Sequence, residues 1–260
     1  NIASTFLAGL LTTYSYKAAF SVHLLGLVTF FGVLFTLPRE KFNVQSDSIG
    51  GSDGMKQKKK AKTSVRSVRW LLVSFIYTAF VHCFATNLSM HVEGGGIGNS
   101  VVSGLALSML TVGSFTCGLF YGKLAKVTKG YTFSIGVVLS SFGLFSMGVA
   151  YVPLTVYLSG ICTGFGLGMV MPVIVTNVVC SSVPEIKTFV IGLNNAVSNL
   201  GLSVAPYVVA EVSAIFIGSS IRGRYYVCSG ILMVMALTAF IIALRGKLTK
   251  TVSSVNPSGT

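Results

Sequence analysis

Long apolar runs alternate with short polar breaks along the 260-residue chain. A short run at residues 2–11 precedes seven longer ones, at residues 18–37, 70–90, 101–121, 132–151, 152–179, 189–217 and 225–244. Crossing a hydrocarbon layer about 30 Å thick takes about 20 helical residues, so each of the seven is long enough. The runs lack the alternation of barrel strands, and a helix satisfies its own backbone hydrogen bonds in lipid. The pattern predicts an all-α, polytopic membrane helix bundle, with seven full transmembrane helices and an N-terminal helix stump.

The composition supports a membrane protein without catalytic chemistry. Hydrophobic residues make up 52% of the chain and charged residues only 10%, whereas soluble domains carry about 25% charged residues. The five cysteines lie within or at the ends of apolar runs without metal-ligand spacing, which is typical of packing residues. No nucleophile–base pair, paired carboxylates or P-loop occurs in the sequence. We therefore expect no enzyme activity, no metal and no cofactor.

The net charge of +13 is distributed unevenly between the two ends of the predicted helices. If seven helices cross alternately, sixteen Lys and Arg residues fall on one side and three on the other. Cytoplasmic loops carry such an excess, so the richer side and the tail at residues 245–260 are expected in the cytoplasm, beneath the plasma membrane. A nucleic-acid partner would need a basic face on a folded soluble module, so none is expected.

The longest polar break, at residues 38–69, divides the chain into an N-terminal part at residues 1–37 and six helices at residues 70–244. It combines a glycine-rich stretch with a basic run at residues 56–62, a composition that cannot bury enough apolar surface to fold alone. We interpret it as a flexible cytoplasmic linker between two helical bundles. The alternative is a segment that binds anionic lipid, since each Lys near an acidic leaflet contributes about 1 kcal/mol.

Three local patterns occur in the six-helix part. Residues 122–129 read Gly-Lys-Leu-Ala-Lys-Val-Thr-Lys, in the break after the second of these helices. In the fourth, Gly160, Gly164 and Gly168 recur every four residues and share one helix face, where a neighbouring backbone can approach closely. Pro172 follows them and permits a bend, so this helix is expected to serve in packing and gating.

The third pattern lies in the fifth helix of the six, where Gly192, Gly201 and Pro206 mark a small-residue surface for packing or gating. Together, in this order, the three patterns resemble the major facilitator superfamily. Gly122 begins a stretch similar to that family's Gly-x-Leu-Ala-Asp-Arg loop, with Lys126 at the position of the acid. The resemblance implies the last helix of a first six-helix bundle and the whole second bundle, so the chain is expected to be a fragment whose partner is a missing N-terminal bundle.

Polar residues recur at intervals of four on the helix at residues 70–90: Ser74, Thr78, His82 and Thr86. They share one face, which would be unfavourable against lipid and so faces the bundle interior or a water-filled cavity. An unperturbed histidine has a pKa of about 6.5, so His82 could exchange protons near neutrality. The alternative is a neutral histidine that bonds a neighbouring helix.

Asn195, Asn199 and Ser203 form a second stripe, on the helix at residues 189–217. Buried amides suit neutral or zwitterionic ligands, and they also hold helices together. Among the six acidic residues only Glu211 falls in a span, near its outer end, so a proton-coupling carboxylate is expected in the missing half.

A transporter of this kind binds its substrate near the middle of the bilayer, between two bundles that move about the site. The expected function is secondary active transport of a small molecule by alternating access. The family resemblance favours proton-coupled efflux of drugs or metabolites, in an antiporter. The alternative is a seven-helix receptor or another membrane protein that transports nothing.

Overall fold

The structure, a computed structural model, describes residues 65–183 and 186–255, and every regular element in these ranges is helical. The helices are α1 (Val65–Val81), α2 (Cys83–Gly94), α3 (Ser100–Thr128), α4 (Thr132–Gly148), α5 (Pro153–Cys180), α6 (Lys187–Phe216) and α7 (Ile221–Val255), with a 3-10 turn at Lys129–Tyr131. The expected class, a helical membrane bundle, is confirmed. The predicted stump, the helix at residues 18–37 and the linker up to residue 64 lie outside the described residues.

Five helical segments in these ranges are long and apolar enough to cross a membrane. They are Arg66–Gly94, which joins α1 and α2, then Ser100–Thr128, Pro153–Cys180, Lys187–Phe216 and Ile221–Arg245. Helix α4 is also apolar but has only 17 residues. The predicted break at residues 122–129 is wrong, because α3 continues to Thr128 and only a 3-10 turn separates it from α4. Gly122 and Lys126 are therefore exposed on the last turns of a helix and do not lie in a loop.

Local sequence sets several helix ends. Pro153 occupies the first turn of α5 after an extended Val152, a position where its fixed φ suits a helix start and its missing N–H is not needed. Gly96 and Gly218 adopt φ values of 64° and 88°, just after α2 and α6 end. Only glycine enters this left-handed region without a steric penalty, so both helices stop where the chain must turn back.

With α1 and α2 counted as one and the shorter α4 included, six helical segments pack as two interlocked units of three. The first unit contains α1–α2, α3 and α4, and the second contains α5, α6 and α7. The first segment of each unit packs against the second helix of the other, α1 against α6 and α5 against α3. The third helices, α4 and α7, pack against each other. Because each unit has three segments that run in alternating directions, the second unit starts at the opposite end of the bundle from the first, which is the arrangement of an inverted repeat.

The core lies around α5, which contacts α1, α3 and α4. The fully buried side chains include Tyr77, Phe84, Leu144 and Met147. The outer surface is also apolar, with 61% of Phe115 and 58% of Phe142 exposed. A soluble monomer rarely exposes so much contiguous apolar surface, whereas a bilayer solvates it.

Hydroxyl pairs connect helices inside this apolar packing. Ser141 Oγ donates to the Ser229 carbonyl oxygen at 2.8 Å, and Ser229 Oγ donates to the Ser141 carbonyl at 2.9 Å. Tyr77 and Ser140 hydroxyls lie 2.8 Å apart, between α1 and α4. Such bonds contribute about 0.6 kcal/mol each in membrane bundles, so they orient helices more than they stabilise them.

Candidate functional site

The first half of the α1 polar stripe lies between helices. Ser74 and Thr78 are fully buried, and Ser74 Oγ lies 2.9 Å from Ser198 Oγ on α6. A Cβ atom built at Gly201 would overlap the Thr78 hydroxyl, so the absence of a side chain there lets α6 approach α1. These two residues therefore face the bundle interior, and a glycine of the third sequence pattern lies in the same contact.

The second half of the stripe is more open. His82 and Thr86 are half-buried, and His82 stands at the break between α1 and α2. Its Nδ1 lies 2.9 Å from the Thr78 carbonyl oxygen, which already accepts the backbone N–H of His82. A carbonyl only accepts hydrogen bonds, so Nδ1 carries a proton and Nε2 is the nitrogen with a lone pair when the ring is neutral. The histidine is thus oriented by its own helix.

An arginine that the sequence pattern assigned to a loop belongs to this region. Arg224 lies in the first turn of α7, which begins at Ile221 and not at residue 225 as predicted. Its Nη1 donates to Asn87 Oδ1 on α2 at 2.8 Å. Asn87 is buried, and its Nδ2 lies 3.1 Å from Thr86 Oγ1, which donates in turn to the His82 carbonyl oxygen at 3.1 Å. Hydrogen bonds therefore connect a guanidinium on α7 to the backbone carbonyl of His82.

Sequence reasoning missed both members of this pair. Asn87 is offset by one position from the four-residue stripe that ends at Thr86, so a strict interval of four excludes it. Arg224 immediately precedes the last apolar run, and an arginine at a helix end can extend its side chain along the bundle. The sequence does contain one signal for this pair, namely an amide and an arginine near the same end of two different predicted spans.

The α6 stripe is exposed on the described bundle. Asn195, Asn199 and Ser203 are exposed, whereas the neighbouring Asn194 is buried. Asn199 Nδ2 donates to the Asn195 carbonyl and Ser203 Oγ to the Asn199 carbonyl, both at 2.9 Å. All these bonds stay within α6, so the stripe does not hold this helix to the rest of the described bundle. Its amide groups keep capacity for a ligand.

The glycine stripe of α5 lies directly against α3. A Cβ atom at Gly160 would come within 2.8 Å of the Ala106 carbonyl oxygen, and one at Gly168 within 2.6 Å of the Ser114 carbonyl. At Gly164 it would overlap the Leu110 carbonyl. The two backbones can approach only because these side chains are absent, which is the packing expected from the four-residue spacing.

The other residues predicted for packing or gating differ in their surroundings. Gly192 is exposed, and a Cβ atom there would meet no atom within 4 Å among the described residues. Packing against this part of the chain therefore does not explain Gly192. Pro172 and Pro206 both lie inside continuous helices, α5 and α6, where each removes one backbone hydrogen bond.

Carboxylates are absent from the interior of the described part of the chain. Its acidic residues are Glu93 at the end of α2 and Glu211 near the end of α6, and both are exposed. The polar side chains of the two stripes are therefore amides, hydroxyls and the imidazole of His82. These can donate and accept hydrogen bonds to an uncharged or zwitterionic molecule, and the imidazole can bind a proton.

Comparison with known proteins gives a family over nearly the whole chain. A family model described as Major Facilitator Superfamily matches residues 1–206 and, in a second alignment, residues 97–258. The match covers all seven described helices and both polar stripes. No curated protein and no solved structure matches the chain significantly.

Proposed function

Because the chain belongs to the major facilitator superfamily, a family of membrane transporters, we propose that it moves a small molecule by alternating access. The seven described helices, in which α1 and α2 form one segment, act as one half of the transporter. The other half is the first bundle, whose last helix is expected at residues 18–37. This assignment favours a transporter over the seven-helix receptor.

The single observation that carries the proposal is the exposed polar stripe of Asn195, Asn199 and Ser203 on a helix long and apolar enough to span a membrane. Polar side chains that face lipid are unfavourable, and inside a transporter such residues border a water-filled path. The stripe is next to the α1–α6 contact at Ser74 and Ser198. A substrate bound at the stripe is therefore placed to influence how α6 packs on α1.

His82 is the proton-binding group that this half contributes. Its backbone carbonyl accepts from Thr86, its Nδ1 is held by Thr78, and Nε2 is left to exchange a proton or bind the substrate. The described residues include no buried carboxylate. We therefore place the principal proton-coupling acid in the other half. Proton entry then drives efflux of a drug or metabolite, with the basic helix ends in the cytoplasm beneath the plasma membrane.

Transport by the complete protein in proteoliposomes tests this proposal, with the fluorescent zwitterion norfloxacin as the probe and an imposed pH gradient. We expect Asn199→Leu to reduce uptake about two- to tenfold, because it removes one ligand hydrogen bond that contributes about 0.5–1.5 kcal/mol. The Asn199 side chain bonds only its own helix, so the variant should fold normally. His82→Ala should change the dependence of the rate on pH.

Leu200→Ala is the matched control, because the neighbouring Leu200 is 56% exposed and lies off the polar stripe. It should transport like the unmodified protein. Unchanged rates and pH profiles in both stripe variants would indicate that these residues serve only in helix packing. Transport independent of the pH gradient would reject proton coupling while leaving the polar path intact.

A further inference from the structure

An apolar groove opens on the outside of the bundle at its basic end. It has a volume of about 640 Å³ and lies between the start of α1, the start of α4 and the later part of α7. Its walls include Leu72, Phe133, Met235 and Ile242. Leu72 is 59% exposed and Ile242 is 71% exposed, so the groove faces the surroundings of the bundle. Its size falls within the range of small-molecule sites, about 300–1,000 Å³.

Two arginines border one end of this groove. Arg66 and Arg69 line it from the first turns of α1, and both are exposed. The sequence contains no acidic residue between Asp53 and Glu93, whereas residues 56–62 add five lysines directly before α1. The groove therefore combines apolar walls with a cationic rim whose neighbours along the chain are also cationic.

An aromatic pair lies in the wall of the groove, next to Gly130 and Ser134 near the start of α4. Trp70 packs edge-on against Phe133, with ring centroids 5.6 Å apart. Tryptophan is enriched where a bilayer meets water, so Trp70 is suited to a rim at headgroup depth.

We propose that this groove binds an anionic phospholipid, with the acyl chains against α4 and α7 and the headgroup phosphate at Arg66 and Arg69. The phospholipid comes from the leaflet that borders the basic helix ends. Apolar walls alone would suit any lipid, and the cationic rim selects a net negative headgroup. The bound lipid then bridges α1, α4 and α7, the elements that form the groove.

Native mass spectrometry of the complete protein in detergent tests this site, with phosphatidylglycerol and phosphatidylcholine of equal chain length as probes. We expect preferential retention of phosphatidylglycerol. The double variant Arg66→Gln plus Arg69→Gln should lose about tenfold or more of that affinity, because each basic group near an anionic headgroup contributes about 1 kcal/mol. Glycerol phosphate without acyl chains should bind far more weakly.

Two further variants distinguish binding in the groove from general charge attraction and from loss of the fold. Lys123→Gln plus Lys126→Gln removes the same charge at the same end of the bundle, from exposed residues that do not line the groove, and should retain the lipid. Thr238→Trp places a bulky side chain in the groove but keeps both arginines. Thr238 is exposed and its hydroxyl bonds only its own helix, so this variant should fold and still lose the lipid.

Equal binding of the two lipids, including no binding of either, would overturn the proposal. A groove occupied by residues that precede α1 would also overturn it. Equal losses in the arginine and lysine double variants would show general charge attraction and also contradict it. Retention by Thr238→Trp would place the lipid elsewhere. Lipid binding is measured without transport, so its failure is distinguishable from failure of the proposed function.

Discussion

The guanidinium of Arg224 connects α7 to α2 through a single strong contact. It donates to the buried Asn87 amide at 2.8 Å, and no carboxylate of the described residues pairs with it. Its Nε is buried and has no hydrogen-bond partner among the described residues. A neutral amide thus holds the charge near the end of the bundle where α7 begins, and the guanidinium keeps donor capacity that the described residues do not use.

The contribution of the hydrogen bond between Arg224 and Asn87 to stability can be measured directly. Hydrogen bonds to charged groups contribute about 1.5–3 kcal/mol, and the unsatisfied Nε offsets part of this in the folded protein. We expect Arg224→Ala to lower the free energy of unfolding in detergent by about 1–2 kcal/mol. The double-mutant cycle with Asn87→Ala should give a coupling energy of about 1 kcal/mol or more.

Arg222→Ala is the comparison for this measurement. The Arg222 guanidinium lies 4.0 Å above the Tyr151 ring, a cation–π contact that contributes about 0.5–1 kcal/mol at an exposed site. The Arg222→Ala substitution should therefore lower the free energy of unfolding less than Arg224→Ala, and it should show no coupling to Asn87. Additive losses for Arg224 and Asn87 would mean that the bond stabilises nothing.

At the scale of helices, glycine spacing decides which backbones touch. Helix α5 approaches α3 through Gly160, Gly164 and Gly168, and α6 approaches α1 through Gly201. In lipid no hydrophobic driving force favours helix association, so close backbone contact and dispersion hold the bundle together. The glycines are consequently the residues at which a single methyl group should have the largest effect.

Two glycines give a matched test of this idea. Gly164→Ala places a methyl group on the Leu110 carbonyl, and overpacking of this kind costs about 1–3 kcal/mol. Gly192→Ala meets no atom of the described residues within 4 Å, and alanine is the better helix former by about 0.5–1 kcal/mol. Thermal unfolding in detergent should show the first variant destabilised and the second unchanged or stabilised. Equal effects would contradict glycine-mediated packing.

The sequence predicted helices better than their ends and their partners. Apolar runs gave each of the six crossing segments, because length and hydropathy alone determine what can span a bilayer. They ended α3 at residue 121 because Gly122 and the lysines after it are polar, although the helix continues to Thr128. Hydropathy measures affinity for lipid, whereas a helix can continue beyond the lipid.

The candidate site was less accessible from sequence. Spacing placed Ser74, Thr78, His82 and Thr86 on one face, but it could not show that the first two contact α6 while the others stay half-open. Contacts between distant segments depend on the tertiary packing of α1 on α6. For the same reason the bond between Asn87 and Arg224 joins residues that no local pattern relates.

For the whole molecule, charge and topology agree. The described Lys and Arg residues cluster where α1, α4 and α6 begin and α3 ends, and Arg245 lies at the same end on α7. Arg222 and Arg224 lie at the opposite end, where α7 begins. Six alternating crossings account for this division, and the inverted pairing of the two three-helix units is the architecture that alternating access uses.

The most direct test of the account is the side of the membrane on which each end lies. In the complete protein without its native cysteines, Ser219→Cys marks the turn between α6 and α7, and Lys123→Cys marks the basic end; both positions are exposed. A membrane-impermeant maleimide applied to intact cells should label Ser219→Cys at once and Lys123→Cys only after permeabilisation. Labelling of Lys123→Cys in intact cells, or equal labelling of both positions, would contradict the crossing scheme.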